Sequence, residues 1–179
     1  MAEALVKIIP EEKAEKDDVP PVPERPVFRP PGAMPDDRLF AKTCAAGCRL
    51  CGEACPHGAI IFRKNGRKRK IPPVLDIPEK ACKWCDGFPC IEACPSGALA
   101  HEHVRPLGKA VIDIGLCSNS MGMMCDICYS VCPSTVRAIK ITVGRLPEID
   151  HDKCTGCGSC VYYCDMQPVA IRLEQAETA

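Results

Sequence analysis

Sixteen cysteines in 179 residues constrain this chain more than any other feature. They fall in four groups of four with none left over: Cys44, Cys48, Cys51 and Cys55; Cys82, Cys85, Cys90 and Cys94; Cys117, Cys125, Cys128 and Cys132; and Cys154, Cys157, Cys160 and Cys164. Each group lies within a window of 11 to 16 residues. Disulfide frameworks spread cysteines so that bridges close long loops, whereas metal sites bunch them. The even count allows either reading; the bunching selects metal.

Spacing then narrows the metal. The last group reads C-x2-C-x2-C-x3-C, the run that holds [4Fe–4S] clusters in bacterial ferredoxins. Three thiolates on one tight loop take three iron corners of a cube, and the fourth, a helical turn further on, ligates the other cluster of a pair. Gly156 and Gly158 suit a loop that needs positive φ and a backbone close to the cluster. The other groups are variants: one extra residue before Cys48, a middle gap widened by two before Cys90, and seven residues between Cys117 and Cys125. All sixteen cysteines are therefore candidate ligands, to four [4Fe–4S] clusters. Two pairings satisfy the spacing. In tandem order Cys55 joins the cluster of motif two and Cys94 that of motif one; in nested order Cys55 goes to the cluster of motif four.

Two rival chemistries use the same residues. A zinc-binding interaction module would build separate four-cysteine knots from C-x2-C pairs. Cys44-x3-Cys48-x2-Cys51 also has the spacing of the radical S-adenosylmethionine triad. Such enzymes need most of a TIM-like barrel, typically ~200 residues. Here a fourth cysteine follows at once and the next motif starts after 26 residues, which leaves no chain for a barrel. His57, His101, His103 and His151 have no ligand spacing to one another, and no motif lacks a cysteine that histidine would replace.

An internal repeat organises the chain. After the fourth cysteine of each motif come Ala59-Ile60, Ala98-Leu99, Ala138-Ile139 and Ala170-Ile171; before motifs three and four stand Ile112-Asp113 and Ile149-Asp150. Strand, cluster loop, short helix, strand is thus written four times. The expected fold is α+β, a duplicated bacterial 2[4Fe–4S] ferredoxin-like fold, small and stabilised by its clusters. Aromatics make up only 4% of the chain, so the organic core is thin. Residues 39–179 form the four-cluster domain, with motifs at 44–55, 82–94, 117–132 and 154–164. Residues 1–38, an acidic and lysine-rich run followed by prolines at 20, 21, 23, 26, 30, 31 and 35, are expected to be an extended arm, either a free tail or a strap laid on a partner.

Asn65-Gly66 between two apolar runs predicts a hairpin whose tip, within Arg63–Lys70, is basic. That tip reads as a solvated turn or a dock for an acidic redox partner; without aromatic interleaving it does not read as a nucleic-acid patch. The insertion Ser118 to Met124, rich in Met and Gly, either covers a cluster or is a plain surface loop. The formal net charge is zero, but four oxidised clusters with their thiolates would add on the order of −8, making the loaded protein acidic. No run of 18 apolar residues provides a membrane span. The first residues carry neither an apolar signal region nor paired arginines, so the chain as given is expected in the cytoplasm, membrane-associated through a partner, and periplasmic only if co-exported.

With these motifs in place the chain resembles the NapG/MauM-like ferredoxin-type iron–sulfur proteins. The matching residues are Arg29-Pro30-Pro31-Gly32-Ala33 leading to Phe40 and Cys44; Cys90-x3-Cys94-Pro95-Ser96-Gly97-Ala98-Leu99; Gly122-x2-Cys125-Asp126-Ile127-Cys128-Tyr129-x2-Cys132-Pro133; and Cys154-Thr155-Gly156-Cys157-Gly158-x-Cys160 with Ala170-Ile171. The likeness runs from about residue 27 to 174 and is most specific in motif three. It implies an electron-transfer subunit rather than an enzyme, with four clusters passing electrons from a membrane quinol-oxidising subunit towards a terminal oxidoreductase. A more distant likeness, through the spacing of motif two, is to four-cluster iron–sulfur subunits of molybdopterin-type oxidoreductase complexes.

Overall fold

The computed structural model describes residues 28–44, 47–65, 69–70, 72–142 and 146–175, with backbone alone at 64, 65, 69 and 70. Its helices are too short to stand by themselves, since isolated helices below about 12–15 residues are marginal in water. They are α1 (Asp37–Thr43), α2 (Leu50–Glu53), α3 (Pro89–Glu92), α4 (Ile127–Ser130) and α5 (Ser159–Tyr162). Only α1 has a side-chain cap: the Asp36 carboxylate accepts from the N–H groups of Arg38 and Leu39 at 2.7 and 2.8 Å. The other four each carry a cysteine, Cys51, Cys90, Cys128 and Cys160, buried against a partner helix. α2 packs on α3 and α4 on α5.

The strands come in antiparallel pairs, and the second half shows the plan in full. β5 (Gly108–Ile112) leads into motif three and pairs with β8 (Ile171–Gln175), which follows motif four, from Gly108 opposite Gln175 to Ile112 opposite Ile171. Between the motifs, β6 (Ile139–Lys140) and β7 (Glu148–Ile149) form an inner pair. The first half repeats this with a shorter outer pair. β1 (Ile60–Ile61) and β4 (Val74–Leu75) are the inner pair, and a single bridge from Ala33 to Leu99 stands where β5 and β8 pair in the second half. The hairpin expected around Asn65-Gly66 is present, β2 (Lys64–Asn65) against β3 (Arg69–Lys70); its tip lies outside the described residues.

Two apolar cores result, one per half, and cysteines sit inside both. The repeated alanines Ala59, Ala98, Ala138 and Ala170 are all buried where the chain leaves a motif and enters a strand position. Val161 and Leu173 pack against both cores.

The extended arm expected through residue 38 requires a correction from Phe28 onward. Phe28, Pro30, Pro31 and Ala33 are buried. Leu75 donates to the Phe28 carbonyl at 2.8 Å, Met34 to Ala98 at 3.2 Å and Ala100 to Gly32 at 2.8 Å. Pro30 and Pro31, two of the prolines that suggest an unfolded strap, are fully buried beside the first core. Residues 1–27, with the acidic and lysine-rich run, lie outside the described residues.

The halves meet through their cysteine loops. The Cys82 N–H donates to the Cys157 carbonyl at 3.1 Å and Leu107 to Thr155 at 2.8 Å. Lys83 Nζ stands 4.2 Å from the centre of the Tyr163 ring. Ile77, fully buried, abuts Gly158, whose φ of +81° opens the start of α5.

Candidate metal centres

None of the sixteen cysteines is in a disulfide. They stand around four cavities of similar size, ≈ 300 to ≈ 370 Å³ of empty space with their mouths included. Cys44, Cys48, Cys51 and Cys94 line the first. Cys82, Cys85, Cys90 and Cys55 line the second. Cys117, Cys125, Cys128 and Cys164 line the third. Cys154, Cys157, Cys160 and Cys132 line the fourth. Each cavity thus takes three cysteines from one motif and the last cysteine of its neighbour, in the tandem order and not the nested one. The sheets impose this choice. β5–β8 and the Ala33–Leu99 bridge each close one pair of consecutive motifs into a unit.

Donor chemistry tests what such a cavity accepts. The remaining walls are mostly apolar, for example Phe40, Pro73, Ala98 and Leu99 in the first and Ile112, Ile127 and Ile171 in the third. Burial, with neighbouring thiols adding to it, pushes Cys51 up to about 12 and Cys90 to about 11. Burial likewise raises Cys82 to about 12 and Cys128 to about 11, and lifts Cys160 further. Left alone, these are neutral thiols at pH 7; four of them ionise together only when a cation compensates them. Backbone N–H groups are already aimed at the sulfurs. Ala59 donates to Cys55 Sγ at 3.4 Å, Leu99 to Cys94 Sγ at 3.4 Å, Ala138 to Cys132 Sγ at 3.3 Å and Ala110 to Cys154 Sγ at 3.5 Å. At Cys94 burial raises the pKa, but the N–H of Leu99 and the Ser96 hydroxyl, with other backbone N–H groups, outweigh it and hold the thiol below its ordinary value. Four thiols, apolar walls and N–H donors to sulfur fit an iron–sulfur cube. Among the described residues no three His, Cys, Asp or Glu side chains converge closely enough for one ion.

The loops reach this geometry by different means. In motif four Gly156 and Gly158 have φ of +67° and +81°. Motif two places Trp84 and Phe88 at the matching positions, with φ of +49° and +46°. No sequence signal marks these two as left-handed residues. Their rings pack edge to face at 5.3 Å over the widened gap between Cys85 and Cys90. In motif three the insertion is pinned by Asn119, whose side chain accepts from the Cys125 N–H at 2.7 Å and donates to the Cys125 carbonyl at 3.0 Å. Met121, Met123 and Met124 are exposed and are not among the residues lining the third cavity, whereas Ser118, at the start of the insertion, is buried and lines it. Of the histidines, His57 lies exposed at the second cavity and His101 pairs with Glu92 at 2.6 Å; neither belongs to a cysteine set.

Comparison with known proteins bears on the same residues. A 4Fe–4S dicluster domain matches residues 43–98 and a 4Fe–4S binding domain matches residues 145–165. The methylamine utilization ferredoxin-type protein MauM of Methylorubrum extorquens is 35% identical over 164 residues, 84% of this chain and 73% of that protein. The ferredoxin-type protein NapG of Escherichia coli is 35% identical over 165 residues, 82% of this chain and 69% of that protein. The polyferredoxin-like subunit of an aliphatic sulfonate oxidoreductase from Pyrococcus furiosus is 31% identical over 130 residues, 70% of this chain and 69% of that protein. The cysteine cavities and these relatives lead to one assignment: the chain is a ferredoxin-type electron-transfer protein and belongs to the NapG/MauM family.

Proposed function

We propose that the protein relays single electrons through four [4Fe–4S] clusters, one in each cavity, between a membrane quinol-oxidising donor subunit and a terminal oxidoreductase. The observation that carries this reading is the division of all sixteen cysteines into four cavities of four. The sixteen cysteines are the ligands, and each cluster supplies one-electron redox chemistry when bound. The protein's own part is to exclude water with apolar walls and to direct backbone N–H groups at sulfur; both tune cluster potentials. The chain carries electrons and changes no substrate bond. Among the described residues no helix is long and apolar enough to cross a membrane; in this reading membrane association comes through the donor subunit. The quinol donor follows from the family likeness. The Pyrococcus furiosus relative supports a second reading, in which the chain is a built-in iron–sulfur subunit of an oxidoreductase complex.

A reductive titration of anaerobically purified protein, followed by electron paramagnetic resonance, tests the relay. Uptake of about four electrons per chain is expected, one per cluster. A colourless, redox-silent protein holding zinc would refute it, and reductive cleavage of added S-adenosylmethionine would point to radical chemistry instead.

A further inference from the structure

The cavities do not touch one another in the order in which their motifs occur. In the first half α2 carries Cys51 of the first cavity and α3 carries Cys90 of the second, and the two helices pack together. In the second half α4 carries Cys128 of the third cavity and α5 carries Cys160 of the fourth, again packed together. The halves are joined between the second and fourth cavities. There the Cys82 N–H donates to the Cys157 carbonyl at 3.1 Å, and each of the two residues lines its own cavity. Among the described residues, the first cavity is lined only by residues between Phe40 and Leu99, and the third only by residues between Ile112 and Ile171. Each of these two lies wholly within its own half.

One side chain spans the joint. Ser159, 1% exposed, donates its hydroxyl to the Cys82 carbonyl at 3.3 Å, and its Oγ stands 3.7 Å from Cys157 Sγ. It therefore touches a cluster-lining residue in each half. A buried hydroxyl is retained where it has partners, and both of its partners here are cysteines.

Building on the four-cluster reading, we infer that the wire runs first, second, fourth, third, that electrons cross between the halves at the Cys82–Ser159–Cys157 joint, and that Ser159 is the positioning residue of that crossing. Motifs one and three then supply the two ends of the wire, although motif three lies in the middle of the sequence. Each crossing is a balanced one-electron exchange: a reduced cluster on one side loses one electron, an oxidised cluster on the other gains it, and no proton moves and no bond forms or breaks.

The test uses the full chain with its clusters, purified without oxygen and fully reduced, and reads magnetic coupling between clusters by low-temperature electron paramagnetic resonance. Cys125→Ala removes the third cluster and should lower iron by about a quarter, four of about sixteen atoms, while coupling between the halves persists. Cys157→Ala should abolish that coupling. A wire in motif order predicts the reverse for Cys125→Ala, and loss of inter-half coupling with the fourth cluster intact would overturn the inference. Because a cysteine variant can lose a whole half, Ser159→Ala provides the milder arm. It should keep full iron content and slow equilibration between the halves, because the hydroxyl that ties α5 to the Cys82 carbonyl is lost. An unchanged rate would overturn the role of Ser159. Absence of any iron–sulfur signal in the unmodified protein would instead refute the four-cluster reading itself.

Discussion

Replacing Gly158 with alanine should loosen the joint between the halves. Its φ of +81° lies in the left-handed region, where an L-residue costs roughly 1–2 kcal/mol. A Cβ there would run into Ile77 Cγ2 and stand 3.1 Å from Ile77 Cβ, and overpacking of a filled site costs about 1–3 kcal/mol. Reduced freedom of the unfolded chain returns about 0.4–1 kcal/mol, leaving a net loss of roughly 1–5 kcal/mol. Ile77→Ala alone opens a cavity worth about 2–5 kcal/mol. In the double variant the collision with Cγ2 is gone, the 3.1 Å approach to the residue 77 Cβ remains, and the new methyl partly fills that cavity. The combined loss should therefore fall short of the sum by about 1–3 kcal/mol. Anaerobic bleaching of the visible cluster absorption in guanidinium is a suitable assay, because cluster loss is irreversible and reports unfolding rate. If the unfolding rate takes up the coupling, the double variant should bleach about 5- to 150-fold more slowly than the product of the single effects predicts. Simple additivity would mean that Gly158 and Ile77 do not touch, and the docking of the halves described above would be wrong.

Three further outcomes are expected. Cys55→Ser should alter the spectrum of the cluster held by Cys82, Cys85 and Cys90 and leave that of Cys44, Cys48 and Cys51 in place, as resolved by resonance of the partly reduced protein; the opposite selectivity contradicts the tandem pairing. Cluster loading should release protons, and apparent iron affinity should still be rising above pH 9. The sign follows from thiols such as Cys51 and Cys82, whose pKa is raised to about 12: below that value iron must displace a proton to gain a thiolate. A loading curve flat from pH 9 upward, measured with a competing chelator, would oppose this. Asp36→Ala removes both side-chain hydrogen bonds at the start of α1 and should lower stability by about 0.5–2 kcal/mol, with Asp36→Asn near wild type, read from the same bleaching assay.

Local features of this fold were legible in the sequence, and long-range ones were not. The spacing of Cys154, Cys157 and Cys160 is a property of one loop, so it announces a cluster site without tertiary information. The hairpin between Phe62 and Val74 was likewise written in Asn65-Gly66, and the strand positions before motifs three and four in Ile112 and Ile149. The pairing of motifs was ambiguous because tandem and nested orders place the same local demands on Cys55 and Cys94. β5 and β8 decide it across some sixty residues, through side chains that any strand could carry. Phe28, Pro30 and Pro31 misled for a different reason. A proline-rich stretch reads as unfolded because it forms few backbone hydrogen bonds, yet its rings bury apolar area when a core lies within reach. Trp84 and Phe88 gave no signal at all: glycine advertises a left-handed turn, whereas bulky residues held in one by their surroundings do not.

Metal stoichiometry tests the central claim most directly. Iron and acid-labile sulfide, measured per chain on protein purified without oxygen, should each come to about sixteen, with cubane spectra accounting for the iron. A limit of about eight irons under full reconstitution, or zinc in place of iron, would contradict the assignment of one [4Fe–4S] cluster to every four-cysteine cavity.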